Sequence, residues 1–478
     1  MATPTQELHR ITSYSPPWEN WDKPPDDPRA VTSFDSNDLE RLPWFYKRYA
    51  PELPRVPLPR GLPPTEASTV AVLAGTAAVP ERELDLAQLG RLLFLASGVV
   101  RTTTRPSGVW LFRAAGSAGA RFPIELYVAV PEGAALPAGV HWYDPEAHAL
   151  VLVAPPPRSG AVTVISTGVP WRTGWRYRER GYRHVYWDSG TMLSQLLAAA
   201  ASAGIDARLY TRFPDAEVTA LVGADGVHEW PVAVVALGDG GPALEATGAA
   251  ARGEVDADPV EFPLETAAQR AGDRDELGEP WSWGEPAEVP LRDSPPVEAV
   301  VLSRSSQRRM DPSRGLSGDL LRTAFGAATR GIGVPHWVVV NDVEGFEPGV
   351  YRWPELARAG SFRQDLYRVG VDQGLPRDAA FVVIGVTDVA RLDDRGYREA
   401  QLAAGLVEGR LHLLAYALGA GASGMTFLDS DVPGLLGEQV DTLLFTCVGV
   451  PEYASKRGGL PGAPSEFRQV TPRLDDQG

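Results

Sequence analysis

Arg304-Ser305-Ser306-Gln307-Arg308 is the stretch of this chain best suited to hold an anion. Two guanidinium groups four residues apart share a face if the turn is helical, with a hydroxyl two residues after the first. Phosphate calls for such a set, forked donors plus a neutral one, and a helix expected just downstream would add a favourable field. A solvated basic face is the other reading of that spacing. Gly116-Ser117-Ala118-Gly119-Ala120-Arg121 precedes an expected strand. Its small residues let a backbone approach a flat ligand closely, or make an ordinary turn. Trp175-Arg176-Tyr177 sets a phenol beside a guanidinium. The opposite charge would favour the phenolate and make Tyr177 a proton acceptor; an exposed loop tyrosine is the plainer alternative. Gly419-Ala420-Gly421-Ala422-Ser423-Gly424 has G-x-G-x-x-G spacing but follows a helix, not a strand. It therefore fails the context of a dinucleotide fingerprint and reads as a turn shaping a pocket wall. The seven His lack metal-ligand spacing, and neither a G-x-S-x-G elbow nor a phosphate-binding P-loop is present.

These stretches sit in a chain that repeats itself. Arg180-Gly181-Tyr182-Arg183 returns as Arg395-Gly396-Tyr397-Arg398, 215 residues on (182 to 397). Each copy continues through a Gly (Gly190, Gly405), an apolar segment, a second Gly (Gly204, Gly419), a Phe-containing turn (Phe213, Phe427) and an apolar β-branched run. A period this long is too great for a solenoid and reads as two fused copies of one domain. Residues 1–60, rich in Pro, Asp and aromatics, predict an arm lying on the body. Residues 61–240 are the first copy and 297–478 the second. Between them, 241–296 is acidic and Pro-rich, a linker or solvated insertion that should bury little apolar surface.

Apolar spacing predicts helices at Leu84–Ser97, Ser189–Ala203, Ser317–Thr329 (Ser317 as N-cap) and Ala403–Ala417. Strands are expected at Pro123–Pro131, Ala149–Val153, His336–Asn341 and Ala380–Val386, and the last twenty residues as loop. The class is α+β.

With 44% hydrophobic residues and 13 Trp, the chain can fill two cores. A net charge of −16 argues against nucleic-acid binding. Cys447, the single cysteine, gives no disulfide framework and reads as a buried strand residue. No signal region or 18-residue apolar span is present, so the expectation is a soluble cytoplasmic protein with no membrane partner.

Taken together, the stretches resemble the FMN-dependent nitroreductase superfamily, and more narrowly its SagB/ThcOx-type dehydrogenases. Arg304-x-Ser306-x-Arg308 is similar to the superfamily's R-x-S-x-R. Gly116 through Tyr127 resembles P-S-A-G-A-R-x-P-x-E-x-Y, with Gly116 in place of Pro. Trp175 through Arg183 resembles W-K-Y-x-x-R-x-Y-R, with Arg176 in place of Lys. Ala422 through Phe427 lies at the family's Gly-containing turn, and Lys456 and Arg457 at the place of a second cationic clamp. The resemblance covers roughly residues 8–460.

It implies an α+β pseudo-dimer with a flavin site built from both copies. The first copy lacks R-x-S-x-R near Val70–Ala78, and the second lacks Ser-Ala-Gly-Ala near Thr329–Trp337. One composite FMN site is therefore expected. Arg304, Ser306, Arg308, Lys456 and Arg457 would hold the phosphate; Ser117, Ala118, Gly119 and Gly424 would line the ring; the pseudo-symmetric site should be empty. The implied reaction is oxidation of a peptide thiazoline or oxazoline to the azole: a base takes the Cα proton, hydride goes to flavin N5, and dioxygen reoxidises the flavin. Arg176 stays protonated, so Tyr177, its pKa lowered by Arg176, would be the base. A peptide substrate and a cyclodehydratase are the implied partners, with the chain acting as a monomeric pseudo-dimer or pairing as a homodimer. Two alternatives stay open: a flavin enzyme desaturating or reducing another substrate, and a flavin-free scaffold that binds a peptide or partner enzyme.

Overall fold

The computed structural model describes residues 2–15 and 38–473. It contains the repeat as two sheets of matching strand order. In the first, β1 (Arg55–Pro57), β4 (Ile124–Val130), β5 (Gly139–Asp144), β6 (Ala149–Ala154), β7 (Val162–Gly168), β8 (Ala207–Tyr210) and β9 (Trp230–Leu237) run in the order β1-β6-β5-β4-β7-β9-β8. In the second, β10 (His336–Val340), β11 (Gly349–Arg352), β12 (Glu355–Ala359), β13 (Phe381–Thr387), β14 (Gly421–Met425) and β15 (Asp441–Gly449) run β12-β11-β10-β13-β15-β14. The sheets superimpose in topology strand for strand, with β1, from the arm, as an extra edge. Every residue of β4 and β9 is buried, which is why these strands read as continuous apolar runs. Cys447 lies buried in β15.

Two long helices, Gly181–Ser202 and Asp394–Ala417, lie between the sheets and pack on each other. Glycines allow the approach: a Cβ on Gly190 would stand 2.5 Å from the Gly405 carbonyl carbon. Ser194 Oγ then reaches the Leu406 carbonyl at 2.9 Å. Both helices start eight or more residues before the apolar spacing suggested. Their first turns carry the Arg-Gly-Tyr-Arg motifs, whose polar side chains break the apolar pattern without breaking the helix. Ser317 caps Gly318–Thr329, accepting from Leu320 N at 3.2 Å, and Asp85 caps Leu86–Ser97.

Three expectations are corrected. Residues 241–296 are not a merely solvated insertion: they include the helix Pro263–Ala271, and Phe262, Leu264, Ala268 and Val289 are buried. Their apolar residues are few, but these are laid against the two copies. The Gly419–Gly424 turn is largely strand, because Gly421–Met425 pairs with β15. The C-terminal loop contributes a two-residue strand, β16 (Ser465–Glu466), parallel to β2 (Val99–Arg105) in a small sheet with β3 (Gly108–Arg113).

The arm lies on the body where it is described. Its helix Pro4–Thr12 donates from Thr5 N to Asp394 in the second copy (2.9 Å), and Arg183 of the first copy donates to its His9 carbonyl (2.7 Å). The aromatic stretch around Trp18 lies outside the described residues. No helix among the described residues is long and apolar enough to cross a membrane.

Candidate functional site

Arg304 follows the C-terminus of the helix Val297–Ser303, so the helix field expected to favour phosphate is absent. Instead the chain runs extended along β14. Ser306 bridges to Ala422, and Gln307 N donates to Ala422 O at 3.0 Å. In extended chain, residues two apart share a face. Arg304, Ser306 and Arg308 therefore point one way by strand period rather than helical period. The intervening side chains are tied to neighbouring groups: Ser305 meets Ser455 (2.5 Å), and Gln307, which also borders the cleft, donates to Tyr416 (2.9 Å).

The first copy meets that face with its small-residue loop. A Cβ on Gly116 would lie 3.5 Å from Arg304 Nη2 and 3.8 Å from Ser306 Oγ. Gly119 has φ +60°, a left-handed conformation that favours glycine, and a Cβ there would come within 2.9 Å of Arg176 Cδ. Ser117, Ala118, Gly119, Arg176, Tyr177, Ser306, Arg308 and Gly424 all line one cleft of about 760 Å³ at the seam of the two copies. Arg304 is buried behind the wall and donates to Ala114 O at 2.6 Å, while its Nε has no partner. Burial lowers its pKa, with Tyr416 and Glu408 opposing.

Lys456 and Arg457 are exposed and stand outside the cleft wall. Their main chain is anchored elsewhere: Arg101 Nε donates to Lys456 O (2.6 Å) and Gly458 N to Leu302 O (2.7 Å). Ser455 is the residue of that turn that faces inward.

Tyr177 ends the helix Pro170–Tyr177 and is buried, not exposed on a loop. Burial raises its pKa and Asp188 adds to this; Arg176 lowers it but does not prevail. The expectation of a depressed phenol is thereby corrected: at neutral pH Tyr177 keeps its proton.

Three further polar groups line the cleft. His184 stacks on Tyr177 with ring centroids 3.9 Å apart. Its Nε2 is buried without a partner, and burial followed by Arg180, Arg183 and Arg176 lowers its pKa well below 6.5, so the imidazole is neutral. Asp188, one turn on, accepts from Ser117 Oγ (2.5 Å) and Ala118 N (3.1 Å). Burial raises its pKa despite those donors. Glu408, from the second central helix, lies against β14 so closely that a Cβ on Gly424 would overlap its Oε1. The sequence did hold a signal for both acids: Asp188 heads the apolar stretch 189–203 and Glu408 is the single carboxyl of the apolar stretch 403–417, where burial needs a reason.

The cleft is cationic although the chain is acidic. Arg105, Arg176, Arg308 and Arg473 stand on its wall. Arg473 is paired with Asp378 (3.1 Å), whereas Arg308 has no carboxylate partner among the described residues. With four guanidiniums against the two carboxyls of Asp188 and Glu408, a concave wall in excess of positive charge concentrates anions whatever the net charge of the chain.

Residues 144–239 match the nitroreductase family. That stretch spans β6 to β9 and the first central helix, so it covers the Tyr177, His184 and Asp188 wall but not Arg304–Arg308. A candidate nitroreductase of Methanocaldococcus jannaschii is 26% identical over 170 residues, covering 32% of this chain and 81% of that protein. The crystal structure of a candidate nitroreductase from Anabaena variabilis aligns with TM-score 0.70 and 21% identity, over 95% of this chain and all of that one. The chain is thus an α+β pseudo-dimer that shares the fold of a solved candidate nitroreductase, and its residues 144–239 match the nitroreductase family.

Proposed function

We propose that the chain is an oxidoreductase that binds one FMN across the seam of its two copies. The observation that carries this reading is the Arg304, Ser306 and Arg308 face meeting the Gly116–Gly119 loop over one cleft. The residues present fit the group. Among the described residues Arg304 Nε lacks a partner and Arg308 lacks a carboxylate counter-ion, as suits a site for an anion. The loop glycines would also give a flat ring close access to backbone. Ser117, Ala118, Gly119 and Gly424 are the proposed ring contacts. Bound FMN would supply two-electron redox chemistry, for which the protein provides position and electrostatics.

The finer reading is oxidation of a peptide thiazoline or oxazoline to its azole, with a cyclodehydratase as the supplier of that substrate. It rests on the order of the matched stretches and on a cleft of about 760 Å³ at the seam. In it the chain must take a carbon-bound proton. Arg176 cannot, and a buried phenol is a poor acceptor; of the two cleft carboxyls, Asp188 is engaged by Ser117 and Ala118 N and held protonated by burial, which leaves Glu408. A second reading, reduction of a small molecule driven by a nicotinamide, is favoured by Tyr177, whose protonated Oη can donate at neutral pH.

The test begins with the absorption spectrum of the purified protein after incubation with FMN. Retained flavin bands support the reading, and a protein that stays colourless removes it. NAD(P)H consumption without any peptide would then favour reduction; azole formation from an azoline peptide would favour oxidation.

A further inference from the structure

The pseudo-twofold relation of the two sheets defines a second cleft, and the chain has put its own linker there. The walls follow from the strand equivalence. β8 stands where β14 stands. The end of the helix Thr69–Ala74 corresponds to the end of Val297–Ser303, and the loop before β10 to the loop before β4. In the functional cleft, Gln307 N takes an edge carbonyl of β14 (Ala422 O). On β8 the carbonyl of Leu209, which in the register of the two sheets matches Gly424 of the functional cleft, two residues on from the match of Ala422, is taken by Trp281 N at 2.6 Å. Trp281 Nε1 donates to Gly331 O at 3.0 Å, and Ala287 N donates to Ala74 O at 2.8 Å. All three walls are thus bound by one linker segment. A Cβ on Gly331 would lie 2.5 Å from Trp283 Cα, so this loop is pressed against linker backbone. From the second central helix, the Arg410 guanidinium lies 4.5 Å over the Trp283 ring.

We infer that Trp281-Ser282-Trp283 is a built-in occupant of the second pseudo-symmetric cleft, holding the place a second flavin would take. The sequence supplies a reason for the exchange: no arginine-serine-arginine set follows Ala74, so the cleft lacks a phosphate clamp. An unfilled cleft would leave apolar walls and edge carbonyls wet. Two indoles cover the apolar surface, and the linker amides satisfy the carbonyls. The stoichiometry of one flavin per chain rests on the proposed function; the plug itself does not.

Hydrogen exchange on the full-length protein, read by fragment mass spectrometry with and without FMN, tests both parts together with a flavin titration. The expected result is slow exchange at 278–287 before any FMN is added. FMN should then add protection at 114–121 and 304–308 alone, saturating at one equivalent. Fast exchange at 278–287 without FMN overturns the plug, as does FMN-induced protection at 207–210 and 330–333 or saturation at two equivalents. No FMN binding anywhere, with 278–287 still slow, supports the plug and removes the flavin reading. In Trp281→Ala/Trp283→Ala, exchange at 281–287 should rise by about tenfold or more through local opening; unchanged rates there overturn the inference.

Discussion

Asp215 and Asp429 stand 214 residues apart in the chain, and each accepts two arginines from the other copy's Arg-Gly-Tyr-Arg motif. Arg395 and Arg398 of the second copy reach Asp215 at 2.7 and 3.0 Å. Arg180 and Arg183 of the first reach Asp429, both at 2.7 Å. All six side chains are buried, the Asp429 carboxyl at 7% exposure being the most open of them. The repeated motif is therefore a reciprocal clamp between the copies. Segments outside the repeat seal each junction differently. The arm gives Tyr14 N to Asp429 (2.8 Å), and the linker gives Arg274 N to Asp215 (2.9 Å).

Breaking one clamp should cost more than an ordinary surface ion pair. Asp429→Asn leaves two guanidiniums buried without a counter-charge, a loss of about 3–5 kcal/mol. Burial alone would raise the Asp429 pKa; Arg180 and Arg183 outweigh it and hold the carboxyl at about 2, against 3.8 for a free Asp. Since the folded pKa is the lower one, the unfolded chain binds the proton first. The stabilisation is complete above about pH 4 and is lost as pH falls through about 2. Urea unfolding at neutral pH should show a lower midpoint for the variant, and its acid unfolding should lack the contribution of that titration. An unchanged midpoint would show that the clamp contributes nothing.

The crossing of the central helices makes a second stability prediction. A Cβ on Gly405 would stand 2.8 Å from Trp187 Cα and 3.0 Å from its carbonyl carbon, all of it backbone that cannot swing aside. Gly405→Ala should destabilise by about 1–3 kcal/mol or more through overpacking. Gly61→Ala, where nothing lies within 4 Å, is the matched control. Equal thermal midpoints for the two variants would contradict the close crossing.

The pseudo-dimer was legible because both copies carry the same motif on the first turn of the same buried helix, where clamp and crossing leave little freedom. Ser317 and the apolar runs of β4 and β13 were legible for local reasons, a cap and continuous burial. The hairpin of β2 and β3 was not, since Arg101, Thr103 and Arg113 are buried charged or polar residues that a pattern reading assigns to solvent. Arg304, Ser306 and Arg308 showed their chemistry but not their conformation: a spacing of four suits both a helix face and alternate strand positions. His184 was hidden by the helix that carries it, whereas Asp188 and Glu408 left a signal as carboxyls set in apolar stretches. The linker misled because acidic residues outnumber the few apolar ones that anchor it, and local composition does not reveal a cleft whose walls, at Ala74, Leu209 and Gly331, come from three separate parts of the chain.

Flavin affinity separates the two arginines. Arg308 has no partner to lose among the described residues, so Arg308→Ala should weaken FMN binding with little change in thermal midpoint. One charge-assisted hydrogen bond is worth about 1.5–3 kcal/mol, or roughly 10- to 150-fold in Kd. Arg304 also donates to Ala114 O, so Arg304→Ala should lose flavin and stability together. Fluorescence titration with FMN and a thermal melt would check both. An Arg308→Ala protein with wild-type affinity would place the phosphate elsewhere.

Tyr177 decides between donating and accepting a proton. Burial raises its pKa above 10.0, Asp188 adds to the shift, and Arg176 only partly opposes it. The neutral phenol is thus the folded form through neutral pH. Stability from this group is complete below about pH 10 and declines as pH rises above it, because the unfolded chain releases the proton first. If Tyr177 Oη donates in turnover, the rate should be level across neutral pH and fall only in strong alkali. Tyr177→Phe should then lower kcat by about 10²- to 10⁴-fold, the usual worth of a placed acid, while flavin binding holds. An alkaline activation limb near neutral pH that vanishes in Tyr177→Phe would mean the phenol is the acceptor after all, with bound groups overcoming the burial that now holds its proton.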